Sequence, residues 1–420
     1  MSLTLKELET NISKYLILED RGAVKLLCGT VIANRIKTQD PVWLFMATSS
    51  SGAKSELLLA LSYAAGVTPK DDLTSKTFIS GAKRTDRSTN LLDRLGENAI
   101  LVVKDLTVLL KKDERESASI FSQLRMIYDG TFSKSFGTGE DVEKKDIRMG
   151  LIAGVTSVIE DYQADDAAVG QRALKYYMKQ SPDEGIDEIT FEILGGRDDK
   201  GMRKMIGESF KEYLDGTPWD YTKIPELTTE TKWDLSKLSN MATKARSSIK
   251  RKAYSSLSPI ERKNLREMPY RFAKQLANLA RAFMIMNNGP LLPIDNAILF
   301  KIALDSIPSS RKEVMEAATA NSLGITLKGL AEAMRIPEES AKIHLDDLIA
   351  LQIIDRHNGM NERKFVYKMR DTYRELMSKF EGIEMVDKEL AGTEDVVPLP
   401  EPDPGVNLED SAALATLFNN

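Results

Sequence analysis

The sequence predicts an α/β fold, in which a doubly wound parallel sheet with helices on both faces precedes a helical segment and a C-terminal winged helix-turn-helix. Unbroken apolar runs at residues 42–47, 99–104 and 149–155 are typical of strands buried on both faces of a parallel sheet. Helical segments separate these runs, as they do in doubly wound folds. Near the C-terminus, three helical segments and a hairpin pattern around Asn358-Gly359 follow one another in the order of a winged helix.

Composition excludes several classes of protein. At roughly 100–200 residues per domain, a chain of 420 residues is long enough for more than one domain. The single cysteine, Cys28, excludes a disulfide framework and a cysteine-based zinc site. Two histidines, His344 and His357, are too few and too far apart to argue for a metal centre. No apolar run approaches the roughly 20 residues of a membrane span, and the first residues lack the pattern of a signal peptide. We therefore expect a cytoplasmic protein without a membrane partner.

Charge is unevenly distributed along the chain. The formal net charge is −5, but residues 389–420 hold seven acidic residues and no Lys or Arg. Alternating prolines in VVPLPEPDPG predict an extended, disordered tail there, and the apolar end AALATLFNN suggests a docking peptide for a replication protein. Residues 242–281 hold eleven basic and two acidic residues. The acidic total therefore does not exclude a nucleic-acid partner.

The predicted elements divide the chain into five parts. Apolar residues at helical spacing predict helices up to Asp40-Pro41, and a Ser/Gly loop and a helix from about Lys54 to Ala65 follow the first strand. A further buried strand is predicted at 77–80, and the strand signal fades after about residue 240. The parts are N-terminal helices at 1–40, a core with an inserted hairpin at 41–240, a helical lid or linker at 241–310, the winged helix at 311–380 and the acidic tail at 389–420.

The loop after the first strand has the composition of a phosphate-binding loop. Such a loop needs small residues whose backbone N–H groups surround phosphates, a Lys for the phosphates, a Ser or Thr for Mg²⁺ and a helix N-terminus behind it. The candidate nucleotide-binding residues are Ser51, Gly52, Ala53, Lys54, Ser55 and Glu56. Thr48 and Ala53 replace the two glycines of the usual pattern, so an ordinary Ser-rich turn with a surface lysine remains the alternative.

Two polar residues end the next two apolar strands. Asp105 follows the strand at 99–104 and is a candidate to hold Mg²⁺ or to polarise water, although Lys104 takes the place of the usual second acid. Thr156 follows the strand at 149–155, where it could contact a γ-phosphate or its attacking water. The alternatives are a strand-capping Asp105 and an ordinary strand threonine.

Together with GQRALKYYM, these motifs resemble the AAA+ ATPase family. The loop GAKSELL is most similar to that of hexameric helicases of the minichromosome-maintenance type and of helicase-like ATPases from phages and mobile elements. The motifs PVWL, TFISG, ILVVKD, LRMIYDG, FGTG and LIAGVT follow in that family's order, so the resemblance covers about residues 20–285.

The resemblance implies ATP and Mg²⁺ as cofactors and assigns a role to each site residue. Lys54 would bind phosphates, Ser55 and Asp105 would serve the metal, and Thr156 would be the first sensor. Arg172 in GQR would be an arginine finger that acts on the neighbouring subunit's nucleotide. Arg271, or alternatively Lys274, would be the second sensor. Surface or salt-bridged arginines remain the alternative for Arg172 and Arg271.

Two hairpins are candidate DNA contacts. FSKSF, GTGE and the charged residues after them predict a β-hairpin before the Thr156 strand, and in helicase-like families such a hairpin contacts DNA. Its candidate phosphate contacts are Lys134, Lys144 and Lys145, and those of the predicted wing are Arg356, Arg363 and Lys364. Lys342 and His344 on the presumed recognition helix are further candidates. That helix opens with Glu338 and Glu339, which favours protein docking nearly as much as DNA binding.

The favoured function is an ATP-dependent DNA motor, specifically a hexameric replicative helicase of a phage or mobile element. Its partner would be single-stranded or forked DNA, bound without sequence preference. The degenerate loop and the missing second acid favour instead an initiator or helicase loader that uses ATP as a switch. The acidic tail and the acidic start of the recognition helix favour a regulatory AAA+ protein that acts on protein partners.

Overall fold

The computed structural model describes most of the chain before residue 380. It covers residues 3–16, 20–37, 39–48, 53–79, 91–96, 99–135, 141–156, 159, 172–179, 199–251, 260–263, 267–358 and 365–379. The predicted disordered tail at 389–420 lies outside the described residues.

The predicted parallel sheet is confirmed: in the described residues it has five strands, and three antiparallel pairs lie outside it. The strands are β1 (Trp43–Ala47), β2 (Val67–Lys70), β3 (Ala99–Val103), β4 (Thr131–Ser135), β5 (Asp141–Lys145), β6 (Met149–Val155), β7 (Leu174–Tyr177), β8 (Ile249–Arg251), β9 (Ile260–Lys263), β10 (Ile354–Asn358) and β11 (Phe365–Met369). The sheet order is β2-β3-β6-β1-β7. This arrangement is compatible with a P-loop-like core.

Helices flank the sheet and make up most of the described residues after residue 199. They are α1 (Leu5–Ser13), α2 (Arg21–Arg35), α3 (Lys54–Leu61), α4 (Leu91–Arg94), α5 (Thr107–Leu110), α6 (Glu114–Tyr128), α7 (Asp199–Gly216), α8 (Thr229–Ala245), α9 (Tyr270–Asn287), α10 (Pro293–Asp305), α11 (Ser309–Ala320), α12 (Leu327–Met334) and α13 (Glu338–Ala350). Residues 371–379 are also helical. None of the helices within the described ranges is both long and apolar enough to cross a bilayer.

Both faces of the sheet are buried, which explains the unbroken apolar runs. In β1, Leu44 and Met46 point into one hydrophobic cluster, whereas Trp43, Phe45 and Ala47 point into a second cluster on the opposite face. The strands β3 and β6 divide their side chains between the same two clusters. Because successive side chains of a strand alternate between faces, a strand in this position must be apolar at every residue.

The predicted strand at 77–80 is wrong for the described residues 77–79, which have no strand conformation. Phe78 and Ile79 are fully buried, but the carbonyls of Thr77 and Phe78 accept hydrogen bonds from the first amides of α4 instead of from a strand. The apolar residues at 77–79 therefore indicate that the segment is buried, but they do not indicate that it pairs in a sheet. Residue 80 lies outside the described residues.

The two outer strands of the sheet, β2 and β7, were not predicted. Their sequences, VTPK and LKYY, contain polar residues, because an outer strand has only one neighbour. In β2, the carbonyls of Gly66 and Lys70 accept bonds from the β3 side, so Pro69 stands at an outward-facing position. In β7, the outward N–H of Tyr177 donates to the carboxylate of Asp305 at 2.8 Å.

Helix α9, which lies in the segment predicted to be a lid, packs against α2, the helix that precedes β1 in the sequence. Gly29 of α2 is needed for this contact, because a Cβ there would come within 2.4 Å of the Phe283 ring. The Nδ2 of Asn278 donates to the carbonyl of Asp40 at 2.9 Å. A buried ion pair of 2.7 Å between Lys25 and Asp295 adds a link between α2 and α10. Helices α9 and α10 are thus packed directly onto the core.

The C-terminal helices and hairpin occur in the predicted order, α11, α12, α13, β10 and β11. Asp347 on α13 is their main polar link to the rest of the protein. Its carboxylate accepts from Arg311 of α11 at 2.9 Å and pairs with Arg251 of β8. Arg311 also donates to the carbonyls of Ala245 and Ser247 at the end of α8. The unit is therefore tied to the body by a largely buried charge network.

Candidate functional site

Three predicted site residues meet at the carboxyl edge of the sheet. Strands β3, β6 and β1 are adjacent and parallel, so the residues that follow them lie at one edge. Asp105 follows β3, Thr156 follows β6, and Lys54 opens the helix after β1. In open parallel sheets this edge is the usual place for ligands.

Lys54 is buried at the start of α3 and points at the end of β6. Its side chain is 7% exposed, and its Nζ donates to the carbonyl of Val155 at 2.5 Å. Burial lowers the pKa of Lys54, because a charged ammonium loses hydration there, while the nearby charge of Asp105 raises it. The placement differs from that of a surface lysine on an ordinary turn. It leaves a partly desolvated cation that an anionic ligand could stabilise.

Thr107 connects Asp105 to Thr156, and the sequence analysis missed it. The Oδ1 of Asp105 accepts from the N–H of Thr107 at 2.9 Å. The Oγ1 of Thr107 accepts from the N–H of Thr156 at 3.0 Å and lies 3.3 Å from the Thr156 Oγ1. If Thr107 donates this second bond, the Thr156 hydroxyl hydrogen is free for a ligand oxygen. The only sequence signal was a threonine two residues after the candidate acid.

If this edge of the sheet hydrolyses a nucleotide, replacing Thr107 with valine should lower the kcat about 10-fold with little change in KM, because one neutral hydrogen bond that orients Thr156 is lost. Thr107→Ser keeps the hydroxyl and should retain most of the kcat. Steady-state hydrolysis rates of both variants measure the effect. Equal losses in the valine and serine variants would mean that Thr107 acts through packing alone.

Gly154 allows β6 to lie close to the end of β3. A Cβ on Gly154 would stand 2.3 Å from the backbone carbonyl oxygen of Lys104. We expect Gly154→Ala to lower the free energy of unfolding by about 1–3 kcal/mol, because the two strands must separate. The midpoint of urea unfolding measures this change. Gly96→Ala is the matched control, since a Cβ there meets nothing within 4 Å, and an equal loss in both variants would contradict the prediction.

The remaining residues of the candidate phosphate loop are only partly described. Ser51 and Gly52 lie outside the described residues, and Ala53 and Ser55 are half-buried at the start of α3. Glu56 accepts two hydrogen bonds from Arg203 of α7, at 2.5 and 2.8 Å. The carboxylate is thus engaged by a guanidinium, and this pair ties α7 to the first turn of α3.

The donor set at this edge fits a metal that arrives with its nucleotide. In the part of the chain that the structure describes, no group of three or more His, Cys, Asp or Glu side chains could hold a metal ion. Mg²⁺ bound with phosphates needs only one or two protein oxygens and keeps several waters. Ser55 and Asp105 are protein oxygens of that kind, and the buried Lys54 suits the phosphates.

The two predicted arginines lie at the opposite edge. Arg172 precedes β7, which runs parallel to β1, so it lies at the amino edge of the sheet. The two edges are about 15 Å apart, the length of a five-residue strand. Arg172 pairs with Asp129 at 2.9 Å. The guanidinium groups of Arg172 and Arg271 lie 5.9 and 5.6 Å from the centre of the Tyr128 ring. Neither arginine is therefore brought together with Lys54 of its own chain.

Gln275 of α9 donates hydrogen bonds to two groups next to these arginine side chains. Its Nε2 donates to the Tyr128 hydroxyl at 2.6 Å and to the Arg172 carbonyl at 2.7 Å. Burial raises the pKa of Tyr128 to about 12, so the phenol stays neutral and can accept this bond. Lys274, the alternative second sensor, is largely exposed and pairs with Asp40 at 3.1 Å.

The hairpin β4–β5 is confirmed as an antiparallel pair, but its lysines are not equivalent. Lys144 stands opposite the fully buried Phe132 and pairs with Asp93. Lys134, on the same side of the hairpin, donates to the carbonyl of Ser75 at 3.1 Å. Lys145 is 70% exposed and lies 3.1 Å from Glu143. Of the three, Lys145 alone lies on the outer side of the hairpin.

The candidate contacts near the second hairpin are also partly described. Arg356 is exposed, and its guanidinium lies 4.4 Å from the centre of the Phe365 ring. Arg363 and Lys364 lie outside the described residues. Lys342 is exposed on α13, whereas His344 is half-buried. Burial and the charges of Arg311 and Arg251 lower the pKa of His344, so it is neutral near pH 7 and does not supply a cation for a phosphate.

Comparison with known proteins adds no family to this description. A scan of the sequence against models of protein families gives no match, and a search of curated proteins also finds none. The features that bear on function are therefore the chain's own: Lys54, Asp105 and Thr156 at one edge of a five-stranded parallel sheet, and Arg172 and Arg271 at the other.

Proposed function

We propose that this protein is a cytoplasmic ATP-dependent DNA motor of the AAA+ type, which forms a ring and acts as a replicative helicase of a phage or mobile element. The observation that carries the proposal is the meeting of Lys54, Asp105 and Thr156 at the carboxyl edge of the sheet. A buried lysine at a helix N-terminus, a carboxylate and a threonine hydroxyl are the groups that a nucleoside triphosphate with Mg²⁺ requires.

Each group has one task in this proposal. Lys54 exchanges the Val155 carbonyl for phosphate oxygens, and its burial strengthens that attraction because little water screens it. Ser55 and Asp105 hold Mg²⁺, which neutralises charge that develops on the phosphates. Thr156, oriented by Thr107, donates to the γ-phosphate or to its attacking water.

The proposed ring follows from the position of the arginines. Arg172 and Arg271 lie together at the amino edge, about one strand length from Lys54. An arginine in that place serves a nucleotide bound to the neighbouring subunit, with Arg172 as the finger and Arg271 as the second sensor. Hydrolysis then depends on contact between subunits.

The remaining parts of the proposal concern DNA. Residues 241–310 act as the lid, and α11 to β11 act as a winged helix. Lys145 on the outer side of the β4–β5 hairpin and Arg356 on β10 are the exposed phosphate contacts. Such contacts bind DNA without sequence preference and weaken as salt rises.

The test is ATP hydrolysis with and without single-stranded DNA, together with strand displacement on a forked duplex. We expect DNA to stimulate hydrolysis and the fork to be unwound only with a hydrolysable nucleotide. Negative-stain images with ATP and DNA should contain closed rings. Wild-type protein that hydrolyses ATP but never separates a forked duplex would rule out the motor.

One observation favours a second candidate, an initiator or helicase loader that uses ATP as a switch. Lys104 is exposed beside Asp105, where a second carboxylate would orient the attacking water. A site with one carboxylate can bind ATP and hydrolyse it slowly. Nucleotide-dependent binding of duplex DNA without stimulated hydrolysis would select the switch.

A further inference from the structure

A groove between α8 and α9 is a feature that the proposed function leaves unused. It has a volume of about 410 Å³. Its apolar wall includes Leu235, Ala273 and Ala277. Three cations and one carboxylate also line it, which are Lys232, Lys274, Arg281 and Asp40. A groove of this kind suits a ligand that has both apolar groups and negative charge.

Two of the three cations lack an acidic partner. Lys274 pairs with Asp40 at 3.1 Å. Within the described ranges, no carboxylate lies at ion-pair distance from Lys232 or Arg281, and Arg281 makes a single long hydrogen bond of 3.4 Å to Asn278. Burial lowers the pKa of Arg281, because its guanidinium loses hydration. An anion that reached this groove would restore the lost interactions.

The described chain ends against α8, the helix that forms one side of this groove, but on the face of α8 that points away from the groove. Lys379, the last described residue, donates to Asp234 and Glu230 of α8 at 2.6 and 3.3 Å. Lys232 and Leu235 on the same helix line the groove. The ten residues from 379 to 389 can reach up to about 33 Å, which exceeds the length of α8, about 25 Å. This reach is also enough to pass around α8, a helix about 10 Å in diameter, to the groove on its other face.

The sequence of that segment matches the groove in chemistry. Residues 389–420 hold seven acidic residues, no basic residue, and apolar residues between the acids. A peptide that contains both apolar and acidic residues can pack its apolar side chains against the apolar wall and place its carboxylates near the cations. A nucleic-acid backbone offers the charge but has no apolar groups to cover the wall.

We propose that the acidic segment 389–420 docks in the α8–α9 groove of its own chain. Lys232 and Arg281 bind its carboxylates, and the apolar wall takes the side chains between them. The docking does not depend on the proposed motor function, because Lys232 and Arg281, the two cations that bind the segment, have no part in the proposed nucleotide site.

The test uses the full chain with a photoreactive amino acid in place of Ser236, which is exposed in the groove. Irradiation of dilute protein should give a crosslink to residues 389–420 that keeps the mass of a single chain. The same probe at the exposed Lys328 of α12 is the control and should give no such crosslink. No crosslink to 389–420, a crosslink between two chains, or an equal yield from both positions would overturn the proposal.

Charge variants make the test specific. Lys232→Gln with Arg281→Gln should lower the crosslink yield several-fold, and 1 M NaCl should do the same. The matched control, Lys204→Gln with Lys211→Gln, changes two exposed lysines on α7 and should leave the yield unchanged. A crosslink yield that stays unchanged in the Lys232→Gln, Arg281→Gln variant and in 1 M NaCl would contradict the proposed binding of the segment's carboxylates by these cations.

Discussion

Alanine at Lys54 is expected to abolish nucleotide-dependent activity, with a loss of at least about 100-fold in the rate of ATP hydrolysis. The side chain is the buried cation of the candidate site, and its ammonium lies between the end of β6 and Asp105. Alanine removes the charge that would hold the phosphates. Equilibrium binding of a fluorescent ATP analogue and steady-state hydrolysis both measure the loss.

The control for this variant is Lys211→Ala. Lys211 is an exposed lysine on α7, so its removal changes the net charge equally without touching the proposed nucleotide site. It should bind and hydrolyse ATP like the wild type. Both variants should keep the wild-type circular dichroism spectrum. Full activity of Lys54→Ala would contradict the proposed nucleotide site.

Removal of the Arg172 side chain is expected to lower hydrolysis about 1000-fold while ATP binding stays close to normal. The arginine lies at the amino edge, so it contributes nothing to nucleotide held by its own Lys54. In the proposed ring it would instead stabilise the charge that develops on a nucleotide held by a neighbour. Hydrolysis and binding assays on Arg172→Ala separate these two effects.

Mixing the two inactive variants tests the shared site directly. In a ring assembled from equal amounts of Lys54→Ala and Arg172→Ala subunits, about a quarter of the interfaces combine an intact Lys54 with an intact Arg172. Hydrolysis should therefore reappear on mixing, although each variant alone is inactive. If the mixture stays as inactive as its components, Arg172 does not act across a subunit interface.

The buried half of the fold could be predicted from the sequence. Strands β1, β3 and β6 are apolar at every position because both faces are covered, and this pattern is specific. Lys54, Asp105 and Thr156 follow directly from those strands, since adjacent parallel strands end at one edge. Helix α6 (Glu114–Tyr128) is one of the helical segments expected between the apolar runs, and its apolar residues recur at helical spacing.

The outer strands and the contacts between distant residues could not be predicted. An edge strand such as VTPK has one neighbour and therefore no unbroken apolar run. Thr107 belongs to the candidate site because it hydrogen-bonds to Thr156, a residue 49 positions away. A local sequence pattern cannot predict such a contact. For the same reason the sequence could not tell that Lys144 pairs with Asp93 whereas Lys145 lies on the outer side of the hairpin.

The outer strands of the sheet also limit how copies of the chain can associate. Pro69 has no N–H to offer on the outer side of β2, and the outward N–H of Tyr177 on β7 already belongs to Asp305. Neither margin offers the free row of backbone donors that a strand from another molecule needs. Copies of the protein are therefore kept from fusing into one continuous intermolecular sheet through these strands. Association is left to side chains, and such contacts can rearrange without breaking a backbone ladder.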